Sequence, residues 1–171
     1  MKNAIYSLLL LLTITACSKN DDPKPAAEVQ GNWTLTSTKA TYEFLGQKES
    51  DDFDFEGDGL YLNLKEGNKF ESNMSLDVNE DSYFIQAAKY ESTYKVEGNT
   101  LTLDFYSAPL GEYIPYVAKI EKSTSGELSL LLTKKEVMDM LNEANKHDDF
   151  ALQMQMINVL TSFNFQMNFT K

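Results

Sequence analysis

The chain has 171 residues, which is enough for one domain with a buried core. Its net charge is −11 and all 15 basic residues are lysines, which argues against nucleic-acid binding because arginine is the usual residue for bidentate recognition of phosphates and bases. With one cysteine and one histidine, the chain cannot form a disulfide-stapled fold, a zinc site of several cysteines and histidines, or a cysteine-based triad downstream of its N-terminus.

The first 16 residues have the organisation of a secretory signal peptide. Lys2 supplies a short positive region, and residues 4–16 are almost wholly apolar, a stretch well short of the roughly 20 residues that span a bilayer. The stretch ends in Ile14-Thr15-Ala16-Cys17, which resembles the lipobox of bacterial lipoproteins. This resemblance implies cleavage before Cys17 and attachment of lipid to that cysteine, and several acyl chains together make a stable membrane anchor.

Residues 17–28 predict a solvated tether between the lipid and the folded domain. They contain two prolines and alternating charges, with no apolar periodicity. Lys19 followed by Asp21 and Asp22 also resembles the acidic surface-export signals of some Gram-negative lipoproteins, although a tether is polar in any case. We therefore expect a lipid-anchored protein of the Gram-negative outer membrane, with surface exposure as the further expectation.

From Val29 onward, apolar and polar residues alternate in segment after segment, which is the pattern of strands with one buried face. Eight strands are predicted, at residues 29–36, 60–65, 70–77, 90–97, 101–105, 114–121, 128–133 and 163–170. Short turns at 66–68, 97–99 and 125–127 favour antiparallel neighbours in up-and-down order. Because the long last strand needs a partner, we expect it to pair with the first and close a barrel.

The stretch before the last predicted strand has helical periodicity instead. Thr133 and Glu136 form a capping box, which predicts a helix start. Two apolar stripes at helical spacing follow, separated by a polar break: Val137, Leu141 and Ala144, then Phe150, Met154, Ile157 and Leu160. The pattern predicts a helical insert of two helices at about residues 134–161, packed on the barrel.

The segment Gly31-Asn32-Trp33 resembles the Gly-X-Trp signature of lipocalins and related calycins. Residues 94–103, with their central Gly-Asn turn, are similar to lipocalin-like domains of Gram-negative lipoproteins. The resemblance implies that residues 29–171 form a mostly β domain, an eight-stranded antiparallel up-and-down lipocalin-like barrel, with Gly31 and Trp33 as structural signature residues. Lipocalins cover this tryptophan with an arginine and place their helix after the eighth strand, and this chain departs from both features.

An eight-stranded barrel is either filled by side chains or just wide enough for one small ligand. The predicted inward residues are large, apolar and edged by tyrosine hydroxyls: Phe70, Met74, Tyr90, Tyr94, Leu103, Tyr116 and Phe165. Such a lining suits a small apolar or amphipathic ligand, which is the favoured interpretation. The alternative is a filled barrel that acts as a surface module for a protein or a glycan. The oligomeric state is left open.

The acidic segment 51–59 is a second candidate site. Asp54, Glu56 and Asp58 match the first half of a calcium loop, but position twelve of that loop is Lys65 instead of glutamate. A solvated acidic loop is therefore the favoured interpretation, with calcium binding left open.

Catalysis has little support in the sequence. His147 lies in the polar break between the two predicted helices, and no carboxylate pair is spaced for acid–base chemistry. We predict no catalytic residues, no metal site and no cofactor, with an unrecognised hydrolase or isomerase as the least favoured hypothesis.

Overall fold

The structure, a computed structural model, describes residues 29–76, 84–108, 110–144 and 151–171. In this part of the chain the strands are β1 (Gly31–Phe44), β2 (Gln47–Asp54), β3 (Tyr61–Lys65), β4 (Lys69–Leu76), β5 (Phe84–Glu97), β6 (Thr100–Ser107), β7 (Glu112–Ser123), β8 (Glu127–Thr133) and β9 (Ser162–Thr170). The helices are α1 (Lys134–Ala144) and α2 (Ala151–Val159). The predicted signal peptide, Cys17, the tether, His147 and Phe150 lie outside the described residues.

Eight of these strands, β1 and β3 to β9, close into an antiparallel barrel in up-and-down order. β9 pairs with β8 on one side and with residues 34–43 of β1 on the other, so the last strand has no free edge. Both helices lie between β8 and β9. The predicted mostly β fold, an eight-stranded barrel with a helical insert before the last strand, is therefore confirmed.

The first strand is longer than predicted, because a β-bulge interrupts its alternation. The register with β9 shifts between Leu35 and Ser37, so the buried set passes from Trp33 and Leu35 to Thr38 and Ala40. A prediction based on strict alternation of apolar and polar residues therefore ends the strand at this bulge.

β2 was missed by the sequence analysis. A two-residue turn at Leu45 and Gly46, with φ values of 50° and 80°, joins β1 to β2, and such turns usually carry Asn-Gly or Asp-Gly. β2 is also too polar to show alternation. The prediction of an acidic loop over 51–59 is therefore wrong in its first half, since residues 51–54 belong to β2.

The two ends of the barrel differ. At the end that we call the turn end, short connections at 66–68, 98–99 and 124–126 join consecutive strands, and Lys171 N–H donates to the Gly126 carbonyl at 3.2 Å. At the opposite end, the helix end, lie the β1–β2 hairpin and the two helices. β1 runs from the turn end to the helix end, and its 14 residues extend over about 40 Å of strand.

As predicted, the helical insert packs on the barrel through α1, which lies against β7, β8 and β9, while α2 packs against α1. Thr133 N–H donates to Glu136 Oε2 at 2.9 Å, and the hydroxyl of Thr133 also bonds that carboxylate, so the predicted helix start is confirmed. α1 buries one apolar face, and α2 buries Ile157. Among the described residues, no helix is both long enough and apolar enough to cross a membrane.

Glu71, on the outer face of β4, links three neighbouring strands. Its carboxylate accepts hydrogen bonds from Lys89 of β5 at 2.8 Å, from Lys65 of β3 at 2.9 Å and from the Tyr61 hydroxyl at 3.0 Å. These donors, Lys89 foremost, lower the pKa of Glu71 to about 2 from an ordinary value of 4.5.

Stability should therefore respond to acid through Glu71. Because its pKa is lower in the folded chain than in the unfolded chain, its interactions stabilise the fold above about pH 4.5 and are lost as the pH falls towards 2. Glu71→Gln should lower the free energy of unfolding at pH 7, and the difference from the parent protein should shrink towards pH 2. Urea denaturation followed by Trp33 fluorescence measures this difference.

Glu121→Gln is the control, because Glu121 forms an exposed ion pair with Lys119, and the substitution should change stability little at any pH. A destabilisation by Glu71→Gln that is as large at pH 2 as at pH 7 would contradict the role of the Glu71 carboxylate.

Candidate functional site

Six of the seven residues predicted to line the barrel interior lie in the buried core, each at most 5 % exposed: Phe70, Met74, Tyr94, Leu103, Tyr116 and Phe165. The seventh, Tyr90, is half-buried, and its ring centroid lies 5.6 Å from that of Tyr106 and 6.0 Å from that of the exposed Tyr113.

Aromatic rings in mutual contact cross the interior. The Phe105 ring centroid lies 5.4 Å from that of Tyr116, 5.7 Å from Phe70 and 5.8 Å from Phe84, and Phe84 lies 6.3 Å from Phe165. These are the edge-to-face and tilted contacts of closely packed rings, which leave no room for a ligand between the rings. Side chains therefore fill this part of the barrel.

Phe105 and Phe84 were not among the predicted lining residues. Phe105 continues the alternation of Leu103 along β6, so the sequence contained a signal for it. Phe84 begins β5, whose first half does not alternate between apolar and polar residues. The sequence analysis therefore placed the start of that strand at residue 90.

The hydroxyls of two lining tyrosines bond to the barrel wall. Tyr94 Oη donates to the Lys65 carbonyl at 3.0 Å. Tyr90 Oη donates to the Met74 carbonyl at 2.8 Å and accepts from Tyr106 N–H at 3.4 Å, and burial raises the pKa of Tyr90 far above its ordinary value. Tyr94 thus links β5 to the end of β3, and Tyr90 links β5 to β4 and β6, so both hydroxyls are engaged within the protein.

Two other buried polar groups lie near Met167. Tyr116 Oη donates to Met167 Sδ at 3.4 Å, and burial raises the pKa of Tyr116. Thr38 lies opposite Met167 in the β1–β9 ladder, and its fully buried Oγ1 has no hydrogen-bond partner in the described residues. A buried hydroxyl without a partner costs about 1–3 kcal/mol, so a small polar group would be stabilised here.

Trp33 lies buried at the turn end. Its Nε1–H donates to the Val29 carbonyl at 2.8 Å, and Lys171 Nζ lies 4.4 Å from the ring centroid, as a cation–π contact. A lysine thus lies over the ring, where lipocalins place an arginine. Lys171 was missed because nothing in the sequence pattern links the last residue to the first strand.

Gly31 lies beneath the same lysine. Its φ is +148°, a conformation that side-chain-bearing residues rarely adopt, and a Cβ atom added there would lie 2.5 Å from Lys171 Cε. The backbone conformation and the close approach of Lys171 therefore both favour glycine at position 31.

The helix end exposes apolar side chains on α2. Leu152, Met156 and Val159 are spaced four and three residues apart, so they share one face of the helix, and each is 61–65 % exposed. The opposite face carries the buried Ile157. We call the exposed face the α2 stripe.

The tip of the β1–β2 hairpin lies at the same end. Phe44 is 46 % exposed and Leu45 is 83 % exposed. Thr161 N–H, just beyond α2, donates to the Glu43 carbonyl at 2.7 Å. This bond joins the end of α2 to the end of β1, so exposed apolar residues lie on both sides of the junction.

Residues 54–58, whose spacing matches the first half of a calcium loop, form a turn that the Asp54 side chain stabilises. Asp54 Oδ1 accepts a hydrogen bond from Glu56 N–H at 2.8 Å. Within the ranges that the structure describes, no group of three or more histidine, cysteine or acidic side chains is arranged to hold a metal ion.

No protein-family model, curated protein or solved structure matches this chain. Its architecture, a closed eight-stranded antiparallel barrel, is consistent with a lipocalin-like fold.

The packing of rings around Phe105 predicts a large loss of stability when this side chain is removed. Phe105→Ala should lower the free energy of unfolding by about 3–5 kcal/mol, because it removes a ring that packs on several others. Leu152→Ala on the α2 stripe should cost less than about 0.5 kcal/mol. Denaturant unfolding of both variants measures the contrast, and similar small effects would contradict a packed interior.

Gly31 provides a second prediction. Gly31→Ala should lower the free energy of unfolding by about 1–3 kcal/mol, because alanine is strained at this φ and its Cβ would displace Lys171. Gly126→Ala is the matched control, since no atom lies within 4 Å of a Cβ added there. Thermal unfolding of the two variants should show a lower Tm for Gly31→Ala alone, and equal Tm values would refute the steric account.

Proposed function

We propose that this chain is a lipid-anchored envelope protein that binds another protein through the helix end of a filled, lipocalin-like barrel. The observation that carries the proposal is the α2 stripe, three large apolar side chains exposed on one face of a helix. Clustered apolar exposure of this kind marks interaction sites more often than chance placement does.

Binding at the α2 stripe has a clear driving force. Burying a leucine, methionine or valine side chain contributes about 1.5–3 kcal/mol relative to leaving it in water. Phe44 and Leu45, across the Glu43–Thr161 junction, enlarge the apolar surface available to a partner. The helix end therefore offers a partner more apolar contact area than a single exposed apolar residue does.

The proposed anchor is compatible with such a partner. The folded chain begins at Val29, which contacts Trp33 at the turn end, while the α2 stripe lies at the other end of β1. In this proposal Cys17 carries the lipid, and residues 17–28 reach at most about 40 Å. The tether thus leaves from the end of the barrel opposite to the α2 stripe, which stays accessible on the outer membrane.

A small amphipathic ligand is the second candidate. The observation that favours it is the buried Thr38 Oγ1 without a partner in the described residues, next to Met167 and near the weakly bonded Tyr116 hydroxyl. A ligand with one polar group could satisfy both hydroxyls. The packed rings around Phe105 make this the weaker candidate, because the ligand would have to displace them.

Site-specific photo-crosslinking tests the proposed function. A photoreactive phenylalanine analogue at Met156, in the full chain expressed in the bacterium that makes it, should crosslink to one protein. The added substitution Leu152→Glu should lower the yield about tenfold, which corresponds to about 1.4 kcal/mol, because it places a charge in the apolar contact.

The same analogue at Lys95, an exposed position on β5 near the turn end, is the control and should give no such product. Equal products at both positions, products with lipid alone, or no product at Met156 would each refute a protein partner at the α2 stripe.

A further inference from the structure

We infer that the free edge of β2 binds an extended, lysine- or arginine-bearing segment of a partner protein, which adds a strand to the sheet. The inference rests on the proposed function only in taking the partner to be a protein, and it requires no contact with the α2 stripe. It depends on the edge, the adjoining groove and the charge of β2.

β2 is the terminal strand of the sheet. It pairs with residues 37–44 of β1, while β3 pairs with residues 31–34 of the same strand. In the described part of the chain no strand pairs with the other side of β2. Seven of its eight residues are exposed, so an incoming segment can reach this edge.

The register shows which backbone groups point outward. Phe44 and Gln47 flank the two-residue turn and form a hydrogen-bonded pair, and such pairs alternate along an antiparallel ladder. Phe55 N–H donates to the Thr36 carbonyl at 2.8 Å, which fits this alternation. The N–H and C=O groups that point away from β1 therefore belong to Lys48, Ser50, Asp52 and Asp54.

A groove of about 430 Å³ adjoins the end of this edge. Apolar side chains from β2, the segment after it and the start of β5 line it, with two carboxylates: Phe53, Phe55, Phe84, Ile85, Asp54 and Asp58. A strand that pairs with β2 can therefore place an apolar side chain in the groove. Recognition by strand addition combines backbone bonds with side-chain pockets in this way.

The charge of β2 selects the partner. The strand carries four carboxylates, Glu49, Asp51, Asp52 and Asp54, against the single cation Lys48. Two copies of β2 would bring like charges together, which disfavours self-pairing and protects the edge. A segment with lysine or arginine avoids this repulsion, so the partner is a basic strand and not a second copy of this chain.

A ten-residue peptide in which lysine alternates with valine is the probe. The full chain, in detergent at low salt, is titrated into the fluorescently labelled peptide. Binding should raise the fluorescence anisotropy of the peptide. The same peptide methylated at every backbone amide nitrogen is the matched control. It has the same charge but cannot donate backbone hydrogen bonds to β2, and we expect it to bind at least about tenfold more weakly.

Amide hydrogen exchange, resolved by residue, reads out the geometry. At a free peptide concentration ten times the Kd, exchange of the outward amides of Ser50 and Asp52 should slow about tenfold. The amides of Glu49 and Asp51, which already bond to β1, should change little. Protection of the second pair alone, or protection only at strands remote from β2, would overturn the inference.

Substitutions separate the backbone bonds from the charges. Ser50→Pro removes an outward N–H while leaving the bonds to β1, and should weaken binding about two- to tenfold. Asp52→Asn, which keeps the backbone intact if the proline variant does not fold, should weaken binding about two- to fivefold. Asp104→Asn is the control. It makes the same change on β6, where Asp104 accepts a hydrogen bond from the Thr93 hydroxyl, and it should leave peptide binding unchanged.

The outcomes distinguish the two proposals. If the methylated peptide binds as tightly as the unmethylated peptide, or if neither binds, the β2 edge is not the docking site, whatever the α2 crosslinks show. If the peptide binds with the expected protection pattern while Met156 gives no crosslink, strand addition stands and the proposed role of the α2 stripe fails.

Discussion

Pairing of β9 with β1 is the constraint on which the rest of the structure depends. This ladder joins residues 34–43 to residues 162–170 and turns a meander of strands into a closed wall. Closure brings the inward faces of eight strands around one interior, whose width is set by the strand number. It also places the helical insert, which must return the chain to β1, at the end of the barrel opposite to Val29.

The part of the interior around Phe105 is packed, which favours a binding site on the outer surface. The wall bonds of Tyr90 and Tyr94 engage two of the hydroxyls that a ligand in the interior would need. Two surface features remain at the helix end, the α2 stripe and the edge of β2. The first offers apolar area and the second offers backbone hydrogen bonds with negative charge, so the two features differ in the chemistry that each would recognise.

Sequence periodicity predicted most of the fold, because most of the eight predicted strands alternate between a buried and a more exposed face. It missed β2, where exposure on both faces removes the alternation and a Leu-Gly turn replaces the usual Asn-Gly. The bulge after Leu35 hid the second half of β1 for a similar reason. The candidate site was harder, since inward residues of filled and hollow barrels have the same pattern, and contacts such as Lys171 with Trp33 join distant positions.

Native mass spectrometry of the full chain, released gently from detergent and compared with its denatured mass, tests the central claim most directly. A packed barrel should show the mass of the polypeptide with any covalent lipid and nothing more. A stable excess mass that is lost on denaturation and extracts into organic solvent as one small molecule would contradict the account. It would identify the interior beside Thr38 and Tyr116 as a ligand site.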